Sequence, residues 1–260
     1  MEHADALMAA LLGVFAAAVL VCIWRARRGH LPFVRRIAGV AAIEEAIGRA
    51  TEMGRPIVFA MGFTDVRDIK THVALSVLSH VARLAARMQT PLIVTLRVAN
   101  VYPVAEETVR QAYTAEGAPD QFNAERQVRF LSEDGILHAM GTAKLIEEEQ
   151  AGCGLFFGAF DFTSLLMAEP GARLGVLQIA GDPSLFQVPF FVCTCNNVVI
   201  GEEYFAAGAY LSPDPAMRST LVSQDIIKGV IAALIVVGTV LVQFEWGAGT
   251  WLIEQLTKYK

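Results

Sequence analysis

Charge is scarce in this chain: 18% of its residues are Asp, Glu, Lys or Arg, against about 25% in soluble domains. Together with 54% hydrophobic residues and a mean hydropathy of +0.46, the shortage implies that part of the chain is built for a non-aqueous setting. The apolar excess lies near the two termini. Cysteine is scarce too. Cys22, Cys153, Cys193 and Cys195 are too few and too clustered for the disulfide framework of a secreted domain, and they fit a reducing compartment. The net charge of −5 and pI near 5.6 give no global attraction to nucleic acid, so no nucleic-acid partner is expected. Signature motifs are missing as well. The sequence contains no GxxxxGK[ST], GxSxG or HExxH, and its first predicted strand is not followed by GxGxxG. The standard fingerprints of phosphate loops, serine hydrolases, zinc proteases and dinucleotide sites are therefore absent, and no cofactor or metal is expected.

What is present begins with two apolar segments. Ala6–Trp24 carries no charged residue, and at 1.5 Å per residue such a run reaches about 28 Å, close to the hydrocarbon thickness of a bilayer. A cleaved signal peptide places its cations before the apolar run. Here Glu2 and Asp5 precede it, and Arg25, Arg27, Arg28, Arg35 and Arg36 follow it. The segment reads as a retained transmembrane helix with the N-terminus outside and the chain entering the cytoplasm after Trp24. The second segment, Gly229–Phe244, has Thr239 and Gln243 as its polar members, and Lys228 can snorkel to the interface. Trp246 to Lys260 sets Trp246, Trp251, Leu252, Ile253, Leu256 and Tyr259 among polar residues, as an interfacial amphipathic tail does. Small residues recur in both spans: Ala9, Gly13, Ala16 and Ala17 in the first, Gly229, Ala232, Ala233 and Gly238 in the second. They permit close helix approach within one chain or between chains. The expected partners are the lipid bilayer and either further copies of the chain or a larger membrane complex. The expected location is the inner (cytoplasmic) membrane, with both termini outside.

Between the spans, periodicity predicts an α/β domain over 40–212, joined to the first span by a basic linker (25–39) and to the second by 213–228. Amphipathic helices are expected over Val40–Met53, Thr71–Met88, Val104–Glu116 and Ile136–Gln150, with a shorter one over Thr163–Ala168 ended by Pro170-Gly171 and a last one over Val199–Tyr210. Short apolar runs read as strands buried on both faces: Pro56–Met61, Pro91–Leu96, Gln127–Leu131, Gly154–Gly158, Leu174–Ala180 and Val188–Cys195. Alternation of the two implies a mainly parallel, Rossmann-like three-layer sandwich flanked by an N-terminal and a C-terminal transmembrane helix.

The runs Ala46–Pro56, Leu84–Pro91 and Phe205–Ser212 resemble those of an uncharacterised prokaryotic membrane-protein family that places a Rossmann-like domain between terminal transmembrane helices. The resemblance covers about residues 40 to 240 and implies the architecture, with no activity to carry over.

In open parallel sheets ligands bind where the loops converge at the carboxyl ends of the strands. That rule selects Thr64, Asp65 and Arg67 after the first strand, Arg97 and Asn100 after the second, then Asp161 and Thr163, then Asp182, and finally Asn196 and Asn197 after the last. Turn and N-cap chemistry explains such residues equally well one at a time. Cys193 and Cys195 would share a strand face as half of a zinc site, or serve as small hydrophobes. His72, His80 and His138 lack any ligand spacing and read as structural. The domain therefore reads as a non-enzymatic scaffold or assembly module, possessing a candidate ligand or partner rim. The rival reading is a membrane-bound hydrolase or nucleotide-dependent enzyme using Asp65, Asp161 and Asp182.

Overall fold

The computed structural model describes residues 37–211 continuously, together with scattered positions and short runs between 13 and 28 and between 225 and 240. Arg35–Ser212 forms one compact unit, and Met1–Val34 with Pro213–Lys260 falls in another. Most of the first expected span, seven of the sixteen residues of the second, and the whole 245–260 tail lie outside the described residues. Among the described residues no helix is long and apolar enough to cross a membrane.

The first helix, α1 (Ala38–Glu52), buries Val40, Ile43, Ala46, Ile47 and Ala50 along one stripe. It stops at Gly54, whose φ of +63° suits the residue after a helix end. The strand β1 (Ile57–Met61) is buried at every position. Helix α2 (Ile69–Met88) opens on Asp68, whose carboxylate accepts the Lys70 N–H. Strand β2 (Leu92–Leu96) is again fully buried. Helix α3 (Tyr102–Ala115), a short helix α4 (Ala124–Gln127) and strand β3 (Val128–Phe130) complete the first half. The second half comprises α5 (Gly135–Glu148), β4 (Cys153–Phe157), α6 (Ser164–Arg173), β5 (Leu177–Asp182), α7 (Val188–Thr194), β6 (Asn197–Ile200) and α8 (Glu202–Leu211).

All six strands are parallel and run β3-β2-β1-β4-β5-β6 across the sheet. This is the strand order of doubly wound Rossmann sheets, with the topological switch point between β1 and β4. Alternate side chains feed two cores. Ile57, Phe59 and Met61 meet α1, α2, α3 and α8 on one face. Val58 and Ala60 meet Ala139 and Ile146 of α5, Met167 of α6 and Phe191 of α7 on the other. The domain is thus a three-layer α/β sandwich.

Five expectations need correction. The run 188–195 is not a strand but helix α7: Pro189 sits in its first turn, where a missing N–H costs nothing, and Thr194 Oγ1 bonds back to Phe190 O at 2.9 Å. The sixth strand is Asn197–Ile200 instead, so the last helix begins only after Gly201 (φ +57°). Cys193 and Cys195 accordingly do not share a strand face; Cys193 is exposed at the end of α7 and Cys195 half-buried just beyond it. Helix α6 does not end before Pro170 but continues to Arg173, because Pro170 and Gly171 are buried where Gln178 packs. Finally, β5 starts at Leu177 rather than Leu174, since Leu174 and Gly175 (φ +71°) close α6 through Leu174 N→Pro170 O and Val176 N→Gly171 O bonds.

Candidate functional site: the carboxyl-edge rim

The rim is built at the switch point. There the backbones of the β1 and β4 loops stay zipped one residue beyond their strands, through Gly62 N→Phe157 O (2.9 Å) and Phe63 N→Ala159 O (2.7 Å). A side chain on Gly62 would start 2.4 Å from Ala159 N and 2.5 Å from Gly158 Cα, and Gly158 itself holds φ +143°. Glycine is what lets the two loops touch.

Beyond the zipper the two chains diverge. After β1, Thr64 Oγ1 lies 2.8 Å from Thr71 Oγ1. Asp65 accepts the Arg67 N–H on one carboxylate oxygen (3.0 Å) and Asn100 Nδ2 on the other (2.6 Å). Those two hydrogen bonds, the backbone one first, hold its pKa below the ordinary carboxylate value. Arg67 is exposed beside it. After β2, Arg97 donates Nε to Glu133 O (2.8 Å) and Nη1 to Asp161 Oδ2 (3.3 Å), with its guanidinium 4.6 Å above the Phe63 ring. After β4, Asp161 Oδ1 accepts both the backbone N–H (2.9 Å) and the hydroxyl (2.5 Å) of Thr163. After β5, Asp182 is fully buried; Oδ2 accepts the Phe160 N–H (2.9 Å) and Oδ1 the Ser184 N–H (2.6 Å). Burial pushes its pKa up to about 6, against the pull of those N–H donors and of Lys70.

Thr64, Asp65, Arg67, Asp161, Thr163 and Asp182 therefore share the carboxyl edge. Asn196 and Asn197 do not. Asn196 Oδ1 accepts the Gln178 N–H (2.8 Å), and Asn197 opens β6 opposite Ile179. Both lie at the amino end of their strand, because the segment before them is a helix. The two clefts described within the domain also lie at the amino edge. One, of about 650 Å³, is lined by Thr90, Tyr113, Arg126 and Arg129, and the other, of about 380 Å³, by Arg49, Arg55 and Gly152.

Residues 1–253 match the family described as domain of unknown function DUF6754. The chain belongs to that family. No curated protein and no solved structure matches it. The family description assigns no chemistry, so the arrangement of the rim decides what the domain can do.

Two features of this family member escaped the pattern reading. The first is apolar. Phe162 (64% exposed), Leu185 (69%) and Phe186 (87%) sit on the loops after β4 and β5, and Leu137 (60%) on the first turn of α5. Exposure of this size, on adjoining loops and helices, exceeds the scattered single apolar residues of ordinary surfaces. The second is His138, fully buried below the rim, with the Phe63 ring edge-on at 5.4 Å. Neither ring nitrogen has a hydrogen-bond partner. The signal available in the sequence was a polar pair, His138 and Thr142, on the helix face that also carries the buried Ala139 and Ile146.

Burial, with the nearby Arg97 charge, lowers the His138 pKa from 6.5 to about 4. The native ring stays neutral while the unfolded one protonates, so this group's stabilisation is present above pH 6.5 and lost as pH falls toward 4. Asp182 acts with the opposite sign: its raised pKa gives stability below pH 3.8 that is lost as pH rises through about 6. In the native chain the two slopes offset each other between pH 4 and 6. His138→Leu should unmask the Asp182 slope, so that thermal midpoints fall as pH rises from 4 to 6. At pH 7 the same variant should be neutral or about 1 kcal/mol more stable, because two unpaired buried nitrogens are removed. A variant whose midpoint instead drops steeply below pH 6 would place the acid sensitivity elsewhere.

Proposed function

We propose that this protein is a membrane-anchored, non-enzymatic assembly module whose carboxyl edge is a docking platform. The α/β domain stands in the cytoplasm, held at both ends by the spans Ala6–Trp24 and Gly229–Phe244, with both termini outside. In support of the anchors, the described positions Phe15, Leu20, Val21 and Trp24 at one end, and Val230, Ile231, Ile235 and Val236 at the other, are helical with exposed apolar side chains. The small residues of both spans suit assembly with further copies or a larger membrane complex.

The observation that carries the docking reading is the state of the rim carboxylates. A carboxylate that acts as a general base or receives a metal offers a lone pair outward, and hydrogen bonds within its own fold use up part of its acceptor capacity. Asp65, Asp161 and Asp182 each accept at both oxygens, from N–H and hydroxyl groups of their own or a neighbouring loop and from Arg97 and Asn100. They hold the loops in shape, and the loops present Phe162, Leu185 and Phe186 outward.

Topology is tested by thiol labelling on intact cells, in a chain whose own cysteines are replaced. A cysteine at position 3 should react with an impermeant reagent, and one at position 118, in the turn before Pro119, should be spared. The reverse pattern would invert the orientation. In mild detergent the native particle should exceed the mass of one 28.2 kDa chain; a monomeric particle would remove the assembly role.

A further inference from the structure

We propose that the carboxyl edge of the sheet rests on the lipid surface itself, with Phe162, Leu185, Phe186 and the first turns of α5 entering the boundary between headgroups and acyl chains. This inference rests on the membrane-anchored reading and names the surface to which the platform docks.

Polarity changes along the helix axes and not only around them. The exposed positions of α5 are Ile136, Leu137 and Met140 in its first two turns, then Lys144, Glu147 and Glu148 in its last two. Its neighbour α6 repeats the order, with exposed Leu165 and Leu166 at the start and Arg173 at the end. The charged halves are laced together by Lys144–Glu148 (3.4 Å), Arg173–Glu147 (3.7 Å) and Arg173–Glu169 (3.0 Å) ion pairs. A helix lying on a water-facing surface shows its apolar stripe toward the core along its whole length. An axial division, apolar at the carboxyl edge and ionic at the amino edge, is what a helix needs when one end meets hydrocarbon and the other meets water.

The entry point of the chain selects the bilayer over other partners. Ile37 and α1 lead into the domain beside β6, where a side chain on Gly39 would start 2.6 Å from Val199 Cγ2, and Val199 pairs with Gly181 near the end of β5. The N-terminal connection of the domain therefore starts at its carboxyl edge. The run Arg25–Arg36 between the first span and Ile37 is twelve residues long and can extend to about 40 Å at most. It holds five arginines, which attract anionic headgroups. So short a tether keeps the apolar tips at high effective concentration against the lipid surface. Of the acidic groups of this edge, Asp161 is paired with Arg97, Asp134 caps α5 through the Ile136 and Leu137 N–H groups, and Asp65 accepts from Asn100, while Glu133 stays exposed beside the apolar tips.

The test uses the full chain in lipid nanodiscs of phosphatidylcholine and phosphatidylglycerol, with Cys22, Cys193 and Cys195 replaced by Ser and Cys153 left in the core. Nitroxides are attached at Leu137→Cys, Phe186→Cys or Glu148→Cys, all exposed positions where labelling spares the fold. Power saturation should show the labels at 137 and 186 accessible to oxygen and shielded from a nickel chelate, with the reverse at 148. Equal nickel accessibility at all three positions would overturn the proposal. So would short 137–137 or 186–186 distances between chains that persist in detergent without lipid, since the face would then join two copies. Flotation of vesicles after alkaline carbonate separates the two readings. A chain that floats but carries water-exposed labels keeps its anchors and loses the docked edge, whereas a chain that does not float loses both.

Discussion

A chain carrying Val94→Asp should fail to fold. Val94 is fully buried in β2, paired in register with Phe59 on one side and Val128 on the other, and its side chain enters the apolar core that also holds Phe59 and Met61. A carboxylate there has no cation and no donor to meet it, and an unpaired buried charge costs about 3–5 kcal/mol. The lost burial of the valine adds about 1.5–3 kcal/mol, and domains of this size are stable by only about 5–15 kcal/mol, so the substitution removes much or all of the margin. Val58→Asp places the same charge in the opposite core, under α5 and α7, and should act alike. The expected result is a loss of cooperative melting by circular dichroism in detergent. A normal midpoint for either variant would mean that its strand is not central.

The second large effect is expected at Gly62. An alanine there would place its methyl carbon 2.4 Å from Ala159 N and 2.7 Å from Gly158 C. Both are backbone atoms held by the hydrogen bonds of the zipper, so neither can swing away as a flexible side chain would. Overpacking of this kind costs about 1–3 kcal/mol, and forcing the loops apart also moves Phe63, on which Arg97 stacks. Gly48→Ala provides the control. Gly48 lies inside α1 with no atom within 4 Å of a new methyl, so alanine should stabilise the helix by about 0.5–1 kcal/mol. Denaturant midpoints should therefore move in opposite directions for the two alanines. A Gly62→Ala chain as stable as the native one would show that the loops are free to separate.

The centre of the sheet was legible because β1 and β2 are apolar at nearly every position and sit between amphipathic helices with clear stops, such as Gly54. The far edge was not. The run from Val188 to Cys195 is apolar on all sides, and an unbroken apolar run has no period to tell strand from helix. The strand that replaces it has four residues and starts on Asn197, a poor strand former. That single exchange of helix for strand carried Asn196 and Asn197 to the wrong edge. Asp65, Asp161 and Asp182 were found by the carboxyl-end rule, which needs only the order of elements. Their roles were not, because the Arg97–Asp161 pair joins residues 64 apart in sequence and the Asp182 carboxylate reaches into the loop of another strand. His138 became visible only when α5 was packed against Phe63.

The position of β1 in the sheet also sets a schedule for synthesis. Its partner on one side, β2, follows within one helix, but its partner on the other side is β4, where Ile57 pairs with Cys153. At 5–20 residues per second, a gap of about 100 residues leaves that flank open for roughly 5–20 s after β1 has left the ribosome. During that interval the sequence Ile57–Met61 offers an uncharged, unpaired strand edge to any other nascent chain, the kind of edge through which proteins aggregate. Crowded polysomes, slow codons between 62 and 152, or a stalled ribosome would lengthen the exposure. The yield of this protein should therefore depend on translation speed through its middle third more than on its final stability.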